Sequence, residues 1–235
     1  MENPVLAMNR NKVKGMDASI GGVAILTMAY LCFTVIGAVV SWQHPDMFLP
    51  HGMLLAFAAL AVGFIICMFP EWAYLLGPVY ALVEGFLIGA YSMLMEASYL
   101  GIVMQAVSCT FGIALSCSIV YGVTGYRPSD AVRRMVSVAT LGVGCIYLLD
   151  LALGFFTGGY ISFLHENTPL GIVVSLIIIV VATFSLYTDY DRVCQAIENG
   201  VDQSYEAYYA FGLTVTLLWL YLEVLRLLGK IRSRK

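Results

Sequence analysis

Residues 169–181 read PLGIVVSLIIIVV, an unbroken apolar run with no charged side chain. A strand of a transmembrane β-barrel alternates apolar and polar positions over about ten residues. This run does not alternate, and its apolar character continues to about residue 193, past the roughly 20 residues that a membrane-spanning helix needs. Similar stretches occur at about 20–42, 51–69, 72–95, 99–124, 133–157 and 206–228, separated by proline, glycine or charged residues. The fold class expected is an all-α polytopic membrane protein, a bundle of seven transmembrane helices.

Composition agrees over the whole length. Of the 235 residues 60% are hydrophobic and 11% charged, against roughly 45–50% and 25% in a soluble domain. Mean hydropathy is +0.86. Seven spans leave no length for a separate soluble domain, so residues 20–229 read as one transmembrane domain between a polar tail (1–19) and a basic tail (230–235). The run that follows the amino-terminal tail is too long for a cleaved signal peptide and has no small-residue cleavage site. A net charge of −3 argues against nucleic acid as a partner. The partners expected are the lipid bilayer, cations and protons. Six cysteines without a CxxC pair read as reduced, lipid-buried thiols.

Orientation follows from loop lysines and arginines. Arg10, Lys12, Lys14, Arg127, Arg133, Arg134 and Arg192 fall on one side of the seven-span reading, which puts the amino terminus in the cytoplasm. Lys230, Arg232, Arg234 and Lys235 then fall outside, and a last segment that turns back is the alternative.

Ionisable residues inside spans are costly and mark cavities, partners or the bundle interior. Glu84, Asp150, Asp189, Asp191 and Glu223 stand against a single base, Arg226. With that imbalance most of the acids lack an intramembrane partner, and desolvation favours their neutral form. A set of carboxyls that changes charge is a plausible gate and supplies hard oxygen ligands for Ca²⁺, with Asp189 and Asp191 as candidate ligands. Each has a plainer reading. Glu223 and Arg226, three apart, form a local ion pair by default. Asp189 and Asp191 lie about 200° apart on a helix and cannot face one groove. Glu84 precedes Gly85 and Gly89, whose spacing suits close helix packing. Asp150 has no partner that the sequence names.

Enzyme chemistry lacks its residues. His44, His51 and His165 lie in loops without an HExxH motif, no GxGD accompanies the aspartates, and the four lysines lie in the tails, away from any retinal Schiff base. No catalytic residue, enzyme activity or bound cofactor is expected, apart from Ca²⁺ as a transported ion.

VYALVEGFLIGAYS at 79–92, GIVMQA at 101–106, FSLYTDYDRV at 184–193 and AFGLTVTLLWLYLEVLRLLG at 210–229 together resemble the Bax inhibitor-1/YccA family, in its bacterial branch. The resemblance implies a seven-helix bundle with the last helix central, in the bacterial inner membrane. Some members are proton-sensitive calcium leak pathways that use a pair of aspartates on the last two helices. Tyr190-Asp191 matches the first of these most directly, with Asp189 as second choice. LYLE at 220–223 offers Glu223 for the other. The family's spacing is about two dozen residues, however, and Asp191 to Glu223 is 32. Aligning on LRLLG instead puts Thr216 at that position, about 10 Å up the helix from Glu223. Thr216 is then expected to hydrogen-bond a helix-six carboxyl, and Glu84 to supply a second acid. The expected function is a proton-sensitive cation leak, with Ca²⁺ as the ion, gated by these residues and Arg226. The alternative is a non-transporting regulator of a membrane-bound ATP-dependent protease or stress response, with the amino-terminal tail as its handle.

Overall fold

The computed structural model describes residues 17–234. Arg10, Lys12, Lys14 and most of the amino-terminal tail lie outside that range, as does Lys235. Seven long helices follow one another: α1 (Ile20–Gln43), α2 (Gly52–Met68), α3 (Ala73–Ser98), α4 (Ile102–Thr124), α5 (Asp130–Thr157), α6 (Pro169–Glu198) and α7 (Glu206–Arg232). Each, with its leading turn where it has one, is long and apolar enough to cross a membrane. Large side chains such as Phe64, Phe111, Leu141 and Ile177 point outward, as lipid contact requires.

Among the helix ends that differ from the sequence reading, three shifts have a clear local setting. α5 starts at Asp130 because the Ser129 hydroxyl caps the Val132 N–H. α6 continues to Glu198 and stops at Asn199-Gly200, where Gly200 takes a φ of 69° that favours glycine. α7 runs to Arg232, so Lys230, expected in a basic tail, instead sits buried in the last turn of the helix. The last of these extensions carries Lys230 into the bundle.

Apolar burial does not drive helices together in lipid, so contact depends on close packing and polar pairs. α1 and α3 meet through glycines. A Cβ on Gly85 would lie 2.3 Å from the Thr34 carbonyl oxygen, and one on Gly89 2.3 Å from that of Ala38. α7 takes the centre, touching α1, α3, α4 and α6. Of its most apolar window 56% is buried, against 6% for α5, which lies at the edge against α6.

The chain just ahead of α1 is tied to the α6–α7 connection. Asp17 pairs with Asp202 in an antiparallel bridge, and the Ala18 N–H donates to the Val201 carbonyl at 2.9 Å. The Ser19 N–H and hydroxyl both donate to Glu206 Oε1, at 2.7 and 3.1 Å. Glu206, at the first turn of the central helix, is thereby buried with its charge engaged.

Candidate functional site

The acids of α6 point in different directions, as residues two apart on a helix must. Asp189 faces α7, where Thr216 Oγ1 donates to its Oδ2 at 2.7 Å, while Arg192 NH1 lies 3.3 Å from its Oδ1. Asp191 faces α4 and α5 and is fully buried. Arg133 Nε lies 2.9 Å from its Oδ2, Gln195 donates to the same oxygen at 2.8 Å, and the Tyr121 hydroxyl donates to Oδ1 at 3.1 Å. The partner of Thr216 is therefore Asp189 and not Asp191, the residue that matched the family's motif most directly. Because the two carboxyls diverge, they do not form one Ca²⁺ ligand set. Among the described residues no group of three or more His, Cys, Asp or Glu side chains is placed to hold a metal.

Glu223 lies two turns beyond Thr216 on α7 and is 1% exposed. Its Oε1 accepts from the Tyr147 hydroxyl of α5 and from Arg226 NH1 at 2.9 Å. Arg226 NH1 also donates to the Tyr147 oxygen at 2.7 Å, with its guanidinium over the Tyr147 ring. The local ion pair read from the sequence is thus present, with an α5 tyrosine as its third member. Glu84 stands apart from these groups: Tyr80, one turn earlier on α3, donates to it at 3.0 Å, and the Tyr80 ring packs edge-on against Phe211 of α7. Asp150 accepts from the Ile161 N–H and pairs with His165 Nε2, both at 2.7 Å.

The expected shortage of basic partners is corrected by these contacts. Asp189, Asp191, Glu223 and Asp150 each meet a basic side chain, and Glu84 meets a tyrosine hydroxyl. By sequence position Arg133 and Arg192 read as loop charges, and His165 as a loop histidine. The signal for Arg133 was the cap residue Ser129 four positions before it. Nothing local in the sequence marks Tyr121, Tyr147 or Gln195.

Chemically, Asp189 is a carboxyl shared between a hydroxyl on the central helix and a guanidinium on its own. Ionised, it has an ion-pair partner in Arg192; protonated, it keeps only the neutral contact with Thr216. Asp191 is a different device, a buried ion pair that clasps α4, α5 and α6 together.

No curated protein and no solved structure matches the chain. A family model described as Bax inhibitor 1 like matches residues 3–233. With seven membrane-length helices and a match over almost its entire length, this integral, multi-pass membrane protein belongs to the Bax inhibitor 1 like family.

Proposed function

We propose that the protein is a proton-sensitive cation leak, with Ca²⁺ as the ion, gated where α6 meets α7. The observation that carries this reading is the Asp189 carboxyl held between Thr216 at 2.7 Å and Arg192 at 3.3 Å. Protonation removes the attraction to Arg192 and leaves the neutral contact that holds α6 against the central helix. Ionisation puts a charge at the α6–α7 contact that Arg192 on its outer side only partly compensates, and the water it draws in opens a path beside α7. The bacterial inner membrane is read from the resemblance to the family's bacterial branch, and the cytoplasmic amino terminus from the distribution of lysine and arginine.

The test is Ca²⁺ entry into liposomes carrying the purified protein, across about pH 5 to 8. Flux should rise with pH in the natural sequence and stay low and flat in Asp189→Asn, which cannot ionise. Entry no faster than into empty liposomes at every pH would overturn the reading. So would flux unchanged by Asp189→Asn and Asp191→Asn together.

A second reading is favoured by the root of the amino-terminal tail. Residues 17–19 are bonded to Val201, Asp202 and Glu206, so a partner that pulls on the tail acts directly on the start of α7. In this reading the protein does not transport, and its partner is a membrane-bound ATP-dependent protease. Deleting residues 1–16 should abolish the effect in cells while leaving any flux of the purified protein unchanged.

A further inference from the structure

The face of α7 that carries Thr216 continues through Trp219, Glu223, Arg226 and Lys230, in steps of three, four, three and four residues. At 1.5 Å per residue this is a stripe about 21 Å long, most of the depth of a hydrocarbon core. It is turned toward α5 and α6: Thr216 meets Asp189, Glu223 and Arg226 meet Tyr147, and Lys230 donates to the Gly171 carbonyl at 3.0 Å and Ser175 Oγ at 2.9 Å. On its other side, at Leu213, Leu217 and Leu218, α7 floors a groove of about 1190 Å³ between α1 and α4 that is lined mainly by apolar side chains. The central helix thus separates a greasy groove from a polar seam.

Two atoms of that seam are buried without a hydrogen-bond partner among the described residues, Trp219 Nε1 and Glu223 Oε2. Tyr147 and Arg226 both address Glu223 Oε1, which leaves Oε2 bare in a side chain that is 1% exposed. Protonating Glu223 does not cure this, since the new O–H would itself need an acceptor. Native interiors rarely leave such groups unmet, and ordered water is the usual partner. The two atoms belong to residues one helical turn apart on one face, about 6 Å along the axis, a span that one or two waters cover at about 2.8 Å per bond.

We propose that Trp219 and Glu223 form a hydration site inside the membrane, where water accepts from the indole N–H and donates to Glu223 Oε2. The pairing of one donor with one acceptor selects for water over an ion. A bare cation would be repelled by the N–H and by Arg226, and an anion by the carboxylate. The site's role rests on the leak reading, in which it is the next polar station along α7 after Asp189 and Thr216. Its existence does not depend on transport.

The test is X-ray hydroxyl-radical footprinting of the protein in lipid nanodiscs, because radicals formed from a bound water oxidise the side chain beside it even when that side chain is shielded from bulk water. Trp72, 51% exposed, and the buried Phe211 serve as internal references. Trp219 should be oxidised at a rate within about tenfold of Trp72, and Glu223→Met should suppress that oxidation while leaving Trp72 unchanged. Oxidation of Trp219 in the natural protein as slow as that of Phe211 overturns the site, whether or not the variant folds. Persistence of fast oxidation in a folded Glu223→Met protein overturns the assignment to Glu223. Fast oxidation in a protein that passes no Ca²⁺ would count against the leak and leave the site standing.

Discussion

Asp189 and Thr216 meet at 2.7 Å across the α6–α7 contact, and the same carboxyl holds Arg192 at 3.3 Å. Thr216→Val keeps the shape of the side chain and deletes the donor. The neighbouring carboxyl then loses its link to the central helix, at a cost of about 1–3 kcal/mol. Equilibrium unfolding in mixed micelles should show that loss, and flux at low pH should rise toward the natural protein's value at high pH. A variant as stable as the natural protein and with its pH profile would separate the contact from the gate.

Asp191 and Arg133 make the opposite prediction, stability without gating. Asp191 is fully buried, and Arg133 Nε lies 2.9 Å from it. Removing one partner leaves an uncompensated buried charge, so Arg133→Met should destabilise the protein by about 3–5 kcal/mol. Replacing both, as Arg133→Met with Asp191→Leu, should recover most of that loss, because two apolar side chains of similar size carry no desolvation penalty. Thermal unfolding of the two single variants and the double variant forms the cycle. Additive losses would show that the pair is not coupled.

The spans, the central last helix and the packing role of Gly85 and Gly89 were legible because each leaves a local signature: hydropathy, a family motif, or small residues at helical spacing. The divergence of Asp189 and Asp191 was legible from helix geometry alone. The partners were not. Arg133 meets Asp191 from 58 positions away, and Tyr147 meets Glu223 from 76. Such pairs depend on which helices are neighbours and on their rotation, and neither is written in any short window. His165 shows the same limit on a smaller scale: it is a loop residue in sequence, yet it reaches the Asp150 carboxylate because the chain folds back after Gly158.

Gly85 tests the α1–α3 contact. A methyl group there would meet the backbone oxygen of Thr34 at 2.3 Å, so the helices themselves must separate. Gly85→Ala should cost about 1–3 kcal/mol of stability. At Gly63 an added Cβ would first meet the Tyr80 ring at 3.5 Å, an ordinary contact, and Gly63→Ala should be tolerated. Equal losses at the two sites would contradict the packing seen between α1 and α3.

At the α6–α7 turn, hydrogen bonds from the Ser204 hydroxyl and N–H hold the Asp202 carboxyl below the ordinary aspartate range. A carboxyl whose value is lower in the folded state stabilises that state fully above the unfolded value of about 3.9, and the stabilisation disappears as pH falls through the folded value. Hydrogen exchange of residues 201–206, corrected for intrinsic rates, should lose protection on acidification below about pH 4. In Asp202→Asn that acid step should be gone. A step that survives the substitution would place the titrating group elsewhere.

The crossing of α7 decides where the carboxyl terminus lies. Its start is held by Ser19 through Glu206, and its end by Arg232, which donates to the Leu100 carbonyl at 2.8 Å and to Gln105 Oε1 at 2.9 Å beside the α3–α4 turn. Between those anchors run 27 helical residues, about 40 Å at 1.5 Å each, which exceeds the roughly 30 Å of a hydrocarbon core. The helix is therefore long enough to emerge on the side opposite its start, carrying Lys230, Arg232 and Arg234 with it, which with a cytoplasmic amino terminus would oppose the usual charge bias. Lys230 lessens that conflict because its amine is buried against Gly171 and Ser175 rather than displayed at the surface. In a background without the six native cysteines, Ser204→Cys and Ser233→Cys should react with a membrane-impermeant maleimide from opposite sides of sealed vesicles. Labelling of both from one side would require the last segment to turn back, and α7 could not then be the single straight helix on which the Thr216 to Lys230 seam depends.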